Sequence, residues 1–264
     1  MQIRTGNGRG KAVSRLVILC PLLLAWGCTS SRPSEEYVSF AAEDGVVLTG
    51  TLYRPEADRF PALILVHREG GDRGHWQGFV QRAQREGYGC LAFDLRGHGE
   101  SGKPGGRTWR QFQPGDWLDC AKDIAAAKEA ALAAGADPAN VFVMGEGVGA
   151  NLALRYAIRD TTIPGIVLLS PGWEYAGVSI EQAAGQLQKL PMLLMVAEGD
   201  SYAAGTASGL MAGARDVREI RTYAGAAHGA DLFAASQQAM EQVLHWFGIL
   251  LDPDSTPEST HDRP

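Results

Sequence analysis

Two short stretches, Tyr37 to Phe40 and Val46 to Leu52, flank the polar turn Glu43-Asp44-Gly45, which is the pattern of a β-hairpin and so of an antiparallel start. Beyond it the pattern changes to short continuous apolar runs separated by helical stretches: Ala62 to Val66, Cys90 to Phe93, Val141 to Met144, Ile166 to Leu169, Leu193 to Val196 and Arg218 to Tyr223. Strands that are apolar on both faces and alternate with helices predict a mostly parallel sheet covered by helices on both sides, an α/β fold. The clearest helix follows Pro114, with Asp116 read as its N-cap, Trp117, Ala121, Ile124, Lys128 and Leu132 recurring at helical spacing, and Gly135 ending it. No repeat interrupts this pattern. The domain is predicted over residues 36–251, and the tail 252–264 has almost no apolar content and is expected to be disordered.

Ahead of the domain the pattern is different again. Arg4, Arg9, Lys11 and Arg15 precede an apolar run of 11 residues, Leu16 to Trp26, with no acidic residue before position 32. That is the anatomy of a signal peptide, and the run is shorter than the roughly 20 residues a comfortable membrane span needs. It ends in LLLAWGC followed by Thr29, Ser30 and Ser31, which resembles a bacterial lipobox. Ala25 stands where such signals usually carry leucine, and Trp26 is bulky where a small residue is common. The resemblance implies cleavage after residue 27, diacylation of Cys28 and a tether over 28–35, placing the mature chain on the bacterial cell envelope. Secretion after ordinary cleavage and retention of an uncleaved anchor are the alternatives.

Charge narrows the partners. The whole chain of 264 residues carries −6, and removing residues 1–27 takes away four cations and no anion, leaving −10. An acidic chain disfavours nucleic acid. Cys90 and Cys120 fall in a predicted strand and a predicted helix, which reads as two buried free thiols. No metal or cofactor motif is present.

The chemistry is concentrated in the run from Asn140 to Leu154, where Gly145-Glu146-Gly147-Val148-Gly149 turns from a strand into a helix. This resembles the nucleophile elbow of the α/β-hydrolases, G-x-S-x-G, with Gly147 in the serine's place. His67-Arg68-Glu69-Gly70-Gly71 follows an earlier strand, where that family supplies a backbone donor of its oxyanion hole, and Asp94 to Ser101 resembles the DxRGxGxS loop common in the fold. Asp94, Arg96 and His98 are read as loop architecture. Asp200 and His228 each follow a parallel strand, in the order that the family's acid and base take. The resemblance spans residues 36 to about 250 and lies nearest the small dienelactone-hydrolase-like or serine-aminopeptidase-like members. It implies an oxyanion hole from the backbone of Val148 with Arg68 or Glu69. With only about 20 residues between Ser170 and Met192, the cap is short, and Trp173 and Tyr175 are expected to border an open cleft.

A triad's histidine takes the hydroxyl proton and its carboxylate holds that histidine, so neither replaces the missing nucleophile. Glu146, one place before the tip, is expected to point away from the path of attack, and Ser170 and Ser201 lack the elbow geometry. Glycine also relaxes a conformation that strains a residue bearing a Cβ. Three readings follow. One is a non-catalytic homologue binding a small ester-like or peptide-like ligand or a protein. Another is a hydrolase in which the Asp200–His228 dyad activates water or a non-standard nucleophile. The third is a structural envelope lipoprotein.

Overall fold

The computed structural model describes residues 34–184, 190–212 and 217–252. Cys28, the signal segment, most of the tether and the tail from residue 253 lie outside these. The N-terminal hairpin forms from β1 (Ser34–Ala41) and β2 (Val47–Arg54), paired antiparallel with Phe40 opposite Leu48. Its turn closes through Gly45 N–H to the Ala42 carbonyl, with Gly45 at φ +82°. The remaining main strands are β3 (Phe60–Val66), β4 (Gly89–Phe93), β5 (Ala136–Glu146), β6 (Ile166–Leu169), β9 (Met192–Ala197) and β10 (Arg218–Tyr223). Between β6 and β9 lies a small hairpin of β7 (Glu174–Tyr175) and β8 (Val178–Ser179).

The main sheet runs β1-β2-β4-β3-β5-β6-β9-β10. From β4 onward every neighbouring pair is parallel, while β2 joins β4 antiparallel. Side chains alternate across it, so each strand feeds two cores. On one face Ile64, Val66, Leu91, Phe93 and Val143 meet α2 (Pro114–Ala133), α3 (Val148–Arg159) and α5 (Ser201–Met211). On the other, Leu63, Leu65, Cys90, Phe142 and Met144 meet α1 (Gln77–Arg85), α6 (Asp231–Ala235) and α7 (Gln237–Leu251). One further short helix, α4 (Glu181–Ala184), follows the small hairpin.

Two sequence expectations are corrected. Asp116 does not cap α2; it is the third helical residue, and Gln113 is the cap. Pro114 takes the first helical position, where its fixed φ and missing N–H carry no cost, and this pushes the start of the helix back. Asp116 instead accepts the Gln113 N–H at 2.8 Å and pairs with Arg107 at 2.6 Å. The strand read as Val141 to Met144 begins at Ala136, opposite Phe60, with an irregularity before Ala62. Residues 137–140, Asp-Pro-Ala-Asn, are not buried and include two polar side chains, which hid this part of the strand from an apolar pattern. Cys90 and Cys120 are both buried and free.

Candidate active site

The site is assembled at the carboxyl ends of the parallel strands. Between β5 and α3 the chain reverses so tightly that a Cβ on Gly149 would stand 2.3 Å from the Val66 carbonyl oxygen, a contact only glycine permits. Gly147 holds the tip at φ +55°, ψ −121°, its N–H bonded to the Leu169 carbonyl at 3.0 Å. A side chain placed there would point at two neighbours: its Cβ would lie 3.3 Å from His228 Nε2 and 3.3 Å from Arg68 Cβ.

His228 follows β10. Its Nδ1 is 2.7 Å from Asp200 Oδ2, and its ring meets Tyr175 edge-on with centroids 6.1 Å apart. Asp200 also caps α5, its Oδ1 accepting the Ala203 N–H at 3.4 Å. The two loops are joined beneath this pair by Gly199 N–H to the Gly225 carbonyl at 2.7 Å. The imidazole is therefore held at its Nδ1 side, and Nε2 faces the elbow tip.

The loop after β3 supplies the opposite wall. Of its two candidate donors, the Arg68 N–H is already directed at Glu146 Oε1, 3.3 Å away. Among the described residues the backbone N–H groups of Glu69 and Val148 make no hydrogen bond, which leaves these two donors free. Arg68 reaches past the tip, its Nη1 donating to the His228 carbonyl at 3.3 Å and to Asp231 at 2.9 Å.

Glu146 is wholly buried under this arrangement. Its carboxylate accepts from the Ala230 N–H at 2.8 Å and pairs with His75 Nδ1 at 3.0 Å, in addition to Arg68 N–H. Burial alone would raise its pKa, but His75, the Ala230 N–H and the Arg68 charge together hold it below the ordinary carboxylate value. The same contact raises the pKa of His75. Glu146 thus joins the elbow, the loop after β3 and the loop bearing His228.

Two buried imidazoles fix the loop after β3 from its other side. His67 Nε2 accepts the Leu95 N–H at 2.9 Å while Nδ1 faces the Arg68 carbonyl at 2.7 Å, an arrangement that places the ring proton on Nδ1. His98 Nε2 lies 3.4 Å from the Gly70 N–H and its Nδ1 3.0 Å from the Arg96 carbonyl. Burial lowers both pKa values, that of His98 to about 4. Asp94 and Arg96 hold the neighbouring loop, Asp94 accepting the N–H groups of Arg73 and Glu100, and Arg96 bonding Asp123 and Asp44. Ser170, at φ +49° and fully buried, accepts the Gly229 N–H at 3.0 Å; Ser201 is exposed at the start of α5.

The small hairpin is the cap. Ala176 and Gly177 form its two-residue turn at φ +52° and +79°, the conformation of a type I′ turn. Asn151, fully buried on α3, binds both ends: its Nδ2 donates to the carbonyls of Gly172 and Val178 at 2.8 Å each, and its Oδ1 accepts the Gly172 N–H at 3.2 Å. This sets Tyr175 against His228. Tyr202 Oη bridges the backbone N–H and carbonyl of Glu174. Trp173, by contrast, packs on α5, its ring over Gly209 and its backbone N–H donating to Thr206 Oγ1. Sequence reasoning assigned no part to His67, His75 or Asn151; a single polar residue within the apolar stretch Gly149 to Leu154 was the available signal for Asn151.

Among the described residues no group of three His, Cys, Asp or Glu side chains is placed to hold a metal ion. The strand order, the antiparallel edge and the strand–turn–helix at 145–149 define an α/β-hydrolase fold. The serine aminopeptidase S33 family matches residues 57–195, just over half of the chain, and the chain belongs to that family. A curated relative, the quorum-quenching protein AidA of Acinetobacter baumannii, is 31% identical over 140 residues, which cover 51% of this chain and 43% of that protein. The chain thus spans less than half the length of this relative. Among solved structures, the Pyrococcus furiosus esterase Pf2001 superposes with a TM-score of 0.66 at 18% identity, covering 82% of this chain and 91% of the esterase. The dienelactone hydrolase of Anabaena variabilis gives 0.61 at 18% identity over 82% and 97% of the two chains. DcsB bound to its substrate analogue gives 0.68 at 13% identity over 83% and 100%. At these identities the structural likeness establishes the fold.

Proposed function

We infer that this chain is an α/β-hydrolase-fold protein that binds a small ester-like or peptide-like ligand in the family's cleft without forming an acyl-enzyme, and that it works on the bacterial envelope, tethered through Cys28. The observation that carries this reading is the elbow tip. Gly147 keeps the strained turn conformation and His228 Nε2 faces it, yet there is no hydroxyl for the histidine to deprotonate. Losing the serine of such a triad removes about 10⁶ in rate, and what remains comes from binding and oxyanion stabilisation. Ester-like chemistry for the ligand is supported by the free backbone donors of Glu69 and Val148 and by the names of the relatives, which include an esterase and a dienelactone hydrolase. The test is intact-mass spectrometry after treatment with a fluorophosphonate, alongside a thermal-shift series with small esters and dipeptide amides. No adduct together with a saturable shift is expected. A covalent adduct on any residue would overturn the reading.

A further inference from the structure

We propose that the Gly147 gap is a water-activating site, and that the chain hydrolyses small strained lactones or activated esters by direct attack of that water. This rests on the non-acylating reading above and adds a turnover to it.

The argument is steric first. At 3.3 Å, both neighbours of the missing side chain are too close for comfortable contact with a β-carbon. For a water oxygen the same surroundings are ordinary, since an imidazole nitrogen hydrogen-bonds it at about 2.7–3.2 Å and a methylene carbon touches it a little further out. His228 Nε2 lies at most one carbon–carbon bond plus 3.3 Å from the Gly147 Cα. One water in van der Waals contact with that Cα therefore also reaches Nε2. It stands close to where a serine hydroxyl would, beside a loop whose Glu69 N–H, like that of Val148, has no other partner.

The electrostatics agree. Asp200 holds Nδ1 at 2.7 Å, which keeps that nitrogen protonated and leaves Nε2 as the acceptor. Arg68, Glu146, Asp231 and His75 surround the same loop but are bound to one another, with the Glu146 carboxylate held by His75, Arg68 and the Ala230 N–H. None of these contacts engages Nε2.

The step balances with water alone. Nε2 takes one proton from the water as its oxygen bonds to the carbonyl carbon; the carbonyl electron pair moves onto oxygen, facing the two backbone donors. When that pair returns, the carbon–oxygen bond to the alkoxide breaks and the imidazolium proton passes to the alkoxide, giving acid and alcohol. Water is a weaker nucleophile than an activated serine and no acyl intermediate divides the barrier, so the substrate must bring its own driving force. Ring strain or a good leaving group provides it.

The experiment uses β-butyrolactone and 4-nitrophenyl acetate with the full chain, His228→Gln and Asp200→Asn, each checked for folding by its melting transition. The native chain should hydrolyse both, about 10²–10⁴-fold faster than His228→Gln, the range that general-base catalysis contributes. Asp200→Asn should lose a similar factor. Nitrophenolate release should be linear from the first turnover, with no burst. Rates equal to buffer, or equal among folded variants, would overturn this inference and leave the non-acylating binding reading standing. A burst or a covalent adduct would overturn both.

Discussion

At the scale of single residues, Gly147 decides what the site can do. Its φ of +55° is one that a residue with a Cβ adopts only at a cost of about 1–3 kcal/mol. A serine introduced there must also displace Arg68 and His228 by a few tenths of an ångström. Gly147→Ser should nevertheless gain esterase activity on 4-nitrophenyl acetate with a pre-steady-state burst, at lower stability, and a second change, His228→Ala, should abolish the gain. A folded, inert Gly147→Ser chain would mean that Arg68 and His228 do not yield. His98 makes a second prediction. Its folded pKa of about 4 lies below the ordinary value of 6.5, so the unfolded chain takes up the proton first as pH falls. Its contribution to stability is complete above pH 6.5 and is lost on descending towards pH 4, by at most about 1.4 kcal/mol for each pH unit. Denaturant midpoints measured across that window should fall less steeply for His98→Gln than for the native chain; parallel curves would contradict the assignment.

At the scale of elements, the cap hairpin shows how little structure is needed to wall a cleft. Two strands of two residues each would not hold together in water. They persist because Asn151 replaces water at three backbone groups and Arg155 donates to the Ser179 carbonyl at 2.7 Å. Asn151→Ala leaves those buried groups without partners and should cost about 2–4 kcal/mol. Faster amide exchange confined to residues 172–179 would accompany that loss, whereas unchanged exchange there would show that the hairpin stands without it. This is also where sequence reading met its limit. The strands were legible because a parallel strand buried on both faces is apolar residue after residue, as in Ala62 to Val66, and the elbow was legible because its glycines are spaced by local geometry. Asp200 and His228 could be placed because each directly follows such a strand. Asn151, His67 and His75 act on segments distant in the chain, so nothing beside them in the sequence announces their partners. Asp116 failed as a cap for a local reason: Pro114 is a stronger claimant to the start of a helix than an acidic residue two places later.

At the scale of the whole molecule, the domain hangs on a proposed anchor. β1 begins at Ser34, so five residues separate it from Cys28. If Cys28 carries the lipid, Cys28→Ala should release the protein from membranes or block its processing. Unchanged fractionation and an unchanged mature mass would reject the anchor. The sheet edge that follows Cys28 in the chain is β1, which carries Glu35 and Glu36, and the far edge, β10, carries Arg218, Glu219 and Arg221. Charges of this kind discourage edge-to-edge pairing between copies.

Cys90 belongs to the core on one side of the sheet, with Leu63 and Phe79, and Cys120 to the core on the other, with Trp117 and Ile124. The sheet itself stands between the two thiols as a wall that no side chain crosses. Burial raises the pKa of both, which leaves little thiolate to react in the folded state. Among the described residues, neither cysteine of the folded chain has a second thiol within reach to pair with. Once folded, the chain should keep Cys90 and Cys120 as thiols through treatment with oxidised glutathione, read by alkylation after denaturation, a form of independence from the redox poise of its surroundings that follows from which way two strand and helix residues face.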